Sequence, residues 1–421
     1  MKKVISFSIV FLFLLNFVQG GQAGGALFQA GSDYKILYSI DANYFYGSDA
    51  ITNQFAKEYF LGGFLTNEMK DEVSKNLFPG NKFGSDFNAG ITVAQKLDTL
   101  FGLRNGVSFI RLSNRIHQDA QFEDDLFEIF FRGNKNYAGK TADLGPFHFE
   151  TFTYQQLTYG VEQTYTRKDK QITWSASASL NIGQKYNYFD SPGTTLYTAP
   201  DGSYLDLDLH LKIRQNDSSQ SGLGSFNGFG FSGSGYVIIQ DEDLNAWSFS
   251  AENLGYINWT KESAEIPIDS TFRFRGIDVS ELFDFSDTLK KEISSDSTYI
   301  QAFLTERTKK SFTSMLPLNL RAAYTAQLKP EKMSLMIGAE HLLFSGASLR
   351  GFTELKYRFN KRSQVGMSLS YGGYTFWNVG LSYRATIAKS WNFLIGSDYL
   401  SAMIQKNGLS QGSFVSLKKY F

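Results

Sequence analysis

The pattern that most limits what this chain can fold into is a two-residue alternation of apolar and polar side chains, carried through much of its 421 residues. Leu205, Leu207, Leu209, Leu211 and Ile213 interleave with Asp206, Asp208, His210, Lys212 and Arg214. Trp174, Ala176, Ala178 and Leu180 interleave with Thr173, Ser175, Ser177 and Ser179; Leu355, Tyr357 and Phe359 do so with Lys356, Arg358 and Asn360. Near the end, Trp377, Val379, Leu381 and Tyr383 alternate with Asn378, Gly380, Ser382 and Arg384. Successive side chains of a strand point to opposite faces, so each segment has one apolar and one polar face. A soluble β-sandwich explains the alternation, but poorly explains so many charged opposite faces and aromatic strand ends. Strands with lipid on one side and a polar lumen on the other explain both, and a closed barrel satisfies their backbone groups in lipid.

Alternating runs number about sixteen. They lie near residues 34–47, 84–96, 100–116, 147–166, 170–187, 203–214, 227–240, 244–260, 263–276, 312–327, 330–343, 347–360, 362–371, 374–386, 389–402 and 411–421. Tight polar turns separate some of them: Lys96–Thr99, Arg167–Asp169, Lys261–Glu262, Lys329–Glu331, Asn360–Arg362 and Ala388–Ser390. Counted back from a periplasmic C-terminus, these turns all fall on the periplasmic side. The longer connections 48–83, 117–146, 188–202 and 277–311 fall outside, as in outer-membrane barrels. The Ser/Gly-rich stretch 215–226 departs from this alternation, as a long periplasmic turn, and points to a misread strand nearby. The expected fold is all-β: an antiparallel transmembrane β-barrel of about 14–16 strands, with short helical inserts in extracellular loops.

Three inserts carry helical spacing. Residues 55–77 place Phe60, Phe64, Met69, Val73 and Leu77 three to five apart, and 120–131 set Leu126, Ile129 and Phe130 opposite Glu123, Asp124 and Asp125. Residues 277–307 hold Leu282, Phe283, Leu289, Ile293, Phe303 and Leu304 among many charges. Apolar helix faces need cover. They can cap the mouth, enter the lumen or pack on one another outside the membrane, and the last is the favoured arrangement.

The chain opens with Lys2 and Lys3, runs apolar from Val4 to Val18, and exits through Gly20, Gly21, Ala23, Gly24 and Gly25. That is the layout of a secretory signal peptide, too short to span a bilayer. Cleavage is expected after Gly20, with Ala23 the second candidate, which gives a signal peptide at 1–20 and a barrel at 21–421. No cysteine is present, which excludes disulfides, thiolate metal sites and an acylated lipoprotein anchor. Lys+Arg and Asp+Glu balance at 41 each, which argues against nucleic acid as a partner. Localisation in the bacterial cell outer membrane follows, with its lipid and lipopolysaccharide as surroundings. The alternating last strand ends on Phe421, similar to the signal read by the barrel-assembly machinery, although Lys419 replaces an apolar residue there.

Nothing in the sequence reads as an enzyme, and no catalytic, cofactor-binding or metal-binding residues are assigned. Gly228–Phe229–Gly230–Phe231–Ser232–Gly233 fits GxGxxG, but Tyr236–Val237–Ile238–Ile239 after it reads as a strand where a nucleotide site needs a helix. The glycines are read instead as barrel wall approached closely by a neighbour. His117, His148, His210 and His341 show no metal-ligand spacing, and His210 is read as a lumen residue. Asp241–Glu242–Asp243 is read as a solvated hairpin end, with a bridging divalent cation as the alternative.

Two segments carry a family resemblance. Phe122–Asn134 leads into Ala138–Gly139–Lys140, and Asn253–Leu254–Gly255–Tyr256–Ile257–Asn258–Trp259 ends a later strand. Both resemble a Bacteroidota-type family of uncharacterised outer-membrane barrels. That family is similar in turn to long-chain fatty acid transporter barrels and to the shuttle barrel of the type IX secretion system. The resemblance implies about fourteen strands, which sets either 34–47 or a piece of 203–240 outside the barrel. It implies no catalytic residue. Two functions follow as expectations: passing or binding small hydrophobic compounds, or an accessory role in a secretion or surface-assembly complex whose proteins are the partners. An apolar, partly plugged lumen favours the first, and a filled, charged lumen the second.

Overall fold

The computed structural model describes residues 27–28, 34–100, 102–216, 222–274, 308–388, 390–405 and 407–421. From one rim the chain runs along β1 (Ile36–Ser48), crosses a helical connection, and returns through β2 (Asn81–Leu100) and β3 (Leu103–Phe122). After β4 (Thr141–Asp143) come the long β5 (Phe147–Arg167) and β6 (Lys170–Ser191). β7 (Thr195–Thr198) and β8 (Leu205–Gln215) lie in the next connection, followed by β9 (Gly228–Gln240) and β10 (Ala246–Trp259). β11 (Ala264–Phe274), β12 (Thr308–Lys309) and β13 (Phe312–Met315) precede β14 (Leu318–Lys329). The chain ends with β15 (Met333–Leu343), β16 (Arg350–Asn360), β17 (Ser363–Gly372), β18 (Thr375–Ile387), β19 (Trp391–Ser397) and β20 (Ser410–Tyr420).

Fourteen of these strands form a closed antiparallel barrel: β1, β2, β3, β5, β6, β9, β10 and β14 to β20. Closure is made by the first and last, in register from Leu37 opposite Tyr420 to Gly47 opposite Ser410. Each barrel strand turns large apolar side chains outward, from Ile40 on β1 through Leu112 on β3, Leu180 on β6, Ile337 on β15 and Leu369 on β17 to Leu417 on β20. Such a belt on a closed barrel is a lipid-facing surface. Among the described residues no helix is long and apolar enough to cross a membrane.

The sixteen-strand count is corrected to fourteen by β8 and β11. They pair with each other from Ala264 opposite Gln215 to Phe274 opposite Leu205, and with β4, β7 and β12 they build a separate sheet beyond the rim. Among the described residues that sheet pairs with the barrel where Asn187–Asp190 of β6 meet Lys212–Gln215. Leu205 and Leu207 are buried against Ile129, Ala142, Leu144 and Leu196, so the apolar face of β8 meets a water-excluded core and not lipid. Its other face carries the ion pairs Asp206 with Arg273 and Arg214 with Glu265, with His210 Nδ1 2.9 Å from Asp269 Oδ1. His210 is therefore outside the lumen. Removing these two strands also moves the described residues of 215–226 and Lys261–Glu262 to the long-loop rim, and Asp241–Asp243 to the short-turn rim, with 217–221 outside the described residues. Residues 398–402, expected in a strand, instead turn into a short helix, Leu400–Ile404.

The helical inserts at 55–77 and 120–131 are present as α1 (Asn53–Leu61), α2 (Asn67–Ser74) and α3 (Asp124–Arg132). Thr52 and Thr66 cap the first two by accepting from Phe55 N and Met69 N. Asp124 and Asp125 occupy the first turn of α3 and Arg132 the last, which suits the helix dipole. They pack on one another: Phe55, Val73 and Phe127 share a core with Phe122 of β3. The third insert, 277–307, lies outside the described residues.

The lipid-facing assignment predicts that Leu112→Arg, at a site 56% exposed on the outer face, destabilises the barrel by up to about 2–4 kcal/mol. Leu207→Arg disrupts the outer sheet but leaves the barrel closed. Urea unfolding in detergent and the heat-dependent shift of gel mobility separate the two; loss of that shift in Leu207→Arg would place β8 back in the barrel wall.

Candidate functional site

The inward positions of the barrel strands are polar, and they surround a chamber of about 730 Å³. Its wall on β5, β6, β9 and β10 is a network of amides and hydroxyls. Gln156 Nε2 donates toward Asn181 Oδ1, Ser232 Oγ and Asn253 Oδ1 at 3.1, 3.0 and 3.3 Å. Asn253 reaches that network because β10 is irregular between Ala251 and Leu254, where Asn253 takes φ 67°. Asparagine tolerates this left-handed conformation better than most side chains. Gly255 follows because a Cβ there would lie 2.1 Å from the Phe231 carbonyl oxygen. The Asn253–Leu254–Gly255 motif is thus a bulge that feeds one amide into the lumen.

The facing wall is ionic. Arg111 forks onto Asp41, Nη1 to Oδ1 and Nη2 to Oδ2, both at 2.6 Å. Glu340 accepts from Arg350 at 2.5 Å and lies 3.7 Å from Arg321, while Arg350 is also 3.8 Å from Asp398. Arg321 stacks on Phe352 at 4.3 Å. Inward charges of this kind persist because each is held by an opposite one, which offsets the desolvation that burial imposes.

Aromatic clusters narrow both ends. Toward the long loops, Phe152, Tyr154, Tyr186, Trp259, Phe312 and Leu316 pack together on one side, and Phe45, Tyr374 and Tyr399 on the other. Between them, His117 Nδ1 lies 2.8 Å from Asp86 Oδ1, and Asp119 accepts from Tyr374 Oη and Gly346 N at 2.5 and 2.8 Å. His148 Nε2 sits 3.8 Å from Asp119. Toward the short turns, Phe28 packs on Leu37, Ala94, Val107 and Tyr420, and the neighbouring Leu27 lines the chamber.

Of the histidines singled out in the sequence, His117 pairs with Asp86, and His148 lies near Asp119 and Asp190. His341 lies on the outward face of β15 opposite Leu320. Gly228–Gly233 runs as strand, and a Cβ at Gly230 would meet the Tyr256 carbonyl oxygen at 1.8 Å, so close backbone approach explains these glycines. Asp241 accepts from Asn245 N within a hairpin end. Among the described residues no group of three His, Asp or Glu is placed to hold a metal ion. The ionic wall was missed from sequence. Glu340, Arg350 and Arg384 are visible there only as charges on a polar face, a signal shared by any solvated strand such as β8.

A closed barrel with an apolar outer belt, a polar interior and one rim of long folded loops is an outer-membrane-type transmembrane barrel. The chain belongs to the Family of unknown function (DUF5723), whose model matches residues 37–398. No curated protein matches the sequence. Among solved structures it is similar to a deltaS2S3 mutant of TodX, the Pseudomonas putida toluene transporter and a monoaromatic hydrocarbon channel, at 8% identity over 93% of this chain and 91% of that one, TM-score 0.47. A FadL homologue of Pseudomonas aeruginosa is similar at 10% identity over 92% and 90%, TM-score 0.41. The outer membrane phospholipase A from Escherichia coli is similar at 10% identity over 92% and 92%, TM-score 0.24.

Arg350→Ala leaves Glu340 and Asp398 without their main counter-charge and is expected to cost about 3–5 kcal/mol of barrel stability, part of which Glu340→Leu in the same chain recovers. Denaturation midpoints of the two variants check this; equal midpoints mean the pair carries no structural weight.

The outer sheet carries a pH dependence. Asp206 is held below the usual carboxylate range by hydrogen bonds from Arg273. Burial pushes Glu265 up, but Arg214 and two lysines outweigh it and its net shift is also downward. Depressed carboxylates stabilise above their unfolded pKa and lose that contribution as pH falls through the folded value. Amide protection in β8 and β11, taken against the intrinsic exchange rate at each pH, is therefore expected to fall below the ordinary carboxylate range while the barrel strands stay protected. A pH-independent protection factor there counts against these ion pairs.

Proposed function

We propose that this protein is a non-enzymatic binding barrel of the bacterial outer membrane, acting as an accessory subunit of a secretion or surface-assembly complex. The observation that carries this reading is the charged wall of the chamber: Arg111–Asp41 and Arg321–Glu340–Arg350–Asp398 line it with ion pairs. A second feature supports it. The long-loop rim builds far more structure than closing a barrel requires, with four α-helices among the described residues and a sheet of its own, a surface suited to a protein partner. The other reading, passage of small hydrophobic compounds, draws on the aromatic clusters at the two ends. Between those ends it requires apolar cargo to move against charged and hydroxyl-bearing side chains.

Purification from outer membranes in mild detergent tests the proposal. A stoichiometric protein partner is expected, lost when residues 192–227 are replaced by a short turn while the barrel still shows its heat-dependent mobility. Recovery of the barrel alone, together with saturable uptake of an apolar compound into liposomes that contain it, would favour transport and overturn the accessory role.

A further inference from the structure

Glu162 lies on β5 toward the short-turn rim, faces inward and is 3% exposed. Among the described residues no Lys, Arg or His side-chain nitrogen lies within ion-pair distance of it, and the Lys418 ammonium acts on it only from beyond that distance. Tyr236 Oη donates to one oxygen. Its remaining partner is the backbone nitrogen of Leu27, 3.1 Å from Oε1 and 3.0 Å from Oε2. An amide nitrogen carries one hydrogen and no charge, so it cannot serve both oxygens well or neutralise a carboxylate withdrawn from water. An α-ammonium, with three hydrogens and a positive charge, does both. Residue 28 is fixed as well: Phe28 sits edge-on to Tyr420 at 5.9 Å, under the Lys96 ammonium at 4.9 Å.

The residues just upstream make a free terminus at this point accessible to chemistry. Gly24–Gly25–Ala26 places small side chains at the third and first positions before Leu27, which is what a signal peptidase accepts. We infer that the mature chain begins at Leu27, and that its new α-ammonium forms a buried ion pair with Glu162 inside the barrel. Hydrolysis breaks the Ala26–Leu27 C–N bond. The water hydroxyl goes to the Ala26 carbonyl carbon and its proton to the Leu27 nitrogen, which takes one more proton from solvent near neutral pH. Cleavage after Gly20, the expectation from sequence alone, leaves six further residues before Leu27 and gives Glu162 only an amide. Processing then has a structural consequence: an unprocessed chain lacks the charge that the carboxylate requires, so the ion pair marks a barrel that has matured.

Intact-mass measurement and N-terminal sequencing of the protein purified from outer membranes test this directly. A chain starting at Leu27 is expected; one starting at Gly21 or Gly24 overturns the inference. Reductive dimethylation gives an independent reading of the ion pair. The Leu27 amine is expected to be protected in the folded barrel and to react after denaturation, with protection lost in Glu162→Gln. A Leu27 amine that labels equally in folded and denatured protein overturns the pairing even where the cleavage site is right.

Discussion

Every other property of this protein depends on the pairing of β1 with β20. In lipid an unpaired backbone N–H or C=O has no water to turn to, so an open edge is not tolerated. Eleven register pairs between Leu37–Gly47 and Ser410–Tyr420 remove that edge. They also join the two ends of the chain, so the barrel closes only after the last strand is made. Phe421 continues the seal: its carbonyl accepts from Lys35 N and Ile36 N, and its own N–H donates to Ile36 O. Once closed, the wall has two faces with opposite requirements, lipid outside and a confined polar space inside, and the two-residue period of a strand meets both at once.

The interior then poses its own problem. Charges turned inward are costly, and for several of them the barrel supplies partners across neighbouring strands. Glu340 and Arg350 face each other in the β15–β16 register, and Arg321 is opposite Glu340 in β14–β15. Asp41 of β1 meets Arg111 of β3 across the intervening β2, which Gly90 allows, since a Cβ there would lie 2.6 Å from the Arg111 guanidinium. A glycine that looks like a weak point in a strand is thus space left for an ion pair.

How much of this was legible follows from what each pattern can distinguish. Fourteen barrel strands, the helices at the rim and the direction of most turns were readable because alternation and turn chemistry are local. What failed was telling β8 and β11 from barrel strands. Leu205–Ile213 alternates as cleanly as any lipid-facing strand, since a buried core and a bilayer make the same demand on an apolar face. The polar face does not separate them either: Asp206, Asp208, Lys212 and Arg214 of β8 are matched by Arg350, Glu354 and Lys356, which face the chamber from β16. The difference lies in the neighbours, since β8 pairs with β11 and β7 beyond the rim. The chamber was not legible, because it depends on which strands are neighbours. Asp41 and Arg111, like Asp86 and His117, are brought together only by the sheet order.

That order also limits what the chamber can hold. Its ion pairs are fixed by registers spread over several strands, so they cannot move aside together without disturbing the wall. An apolar occupant would have to displace water from Arg111, Asp41, Glu340 and Arg350 and return no hydrogen bonds, which is the arrangement that buried charges tolerate least. A polar or charged occupant can exchange partners with the wall at little net change. The aromatic clusters at the two ends then act as rims around a polar interior, as Phe152, Tyr186 and Trp259 do at one end and Phe28 with Tyr420 at the other. What the chamber can hold is thus limited by hydrogen bonding within it and by the aromatic rings that border it.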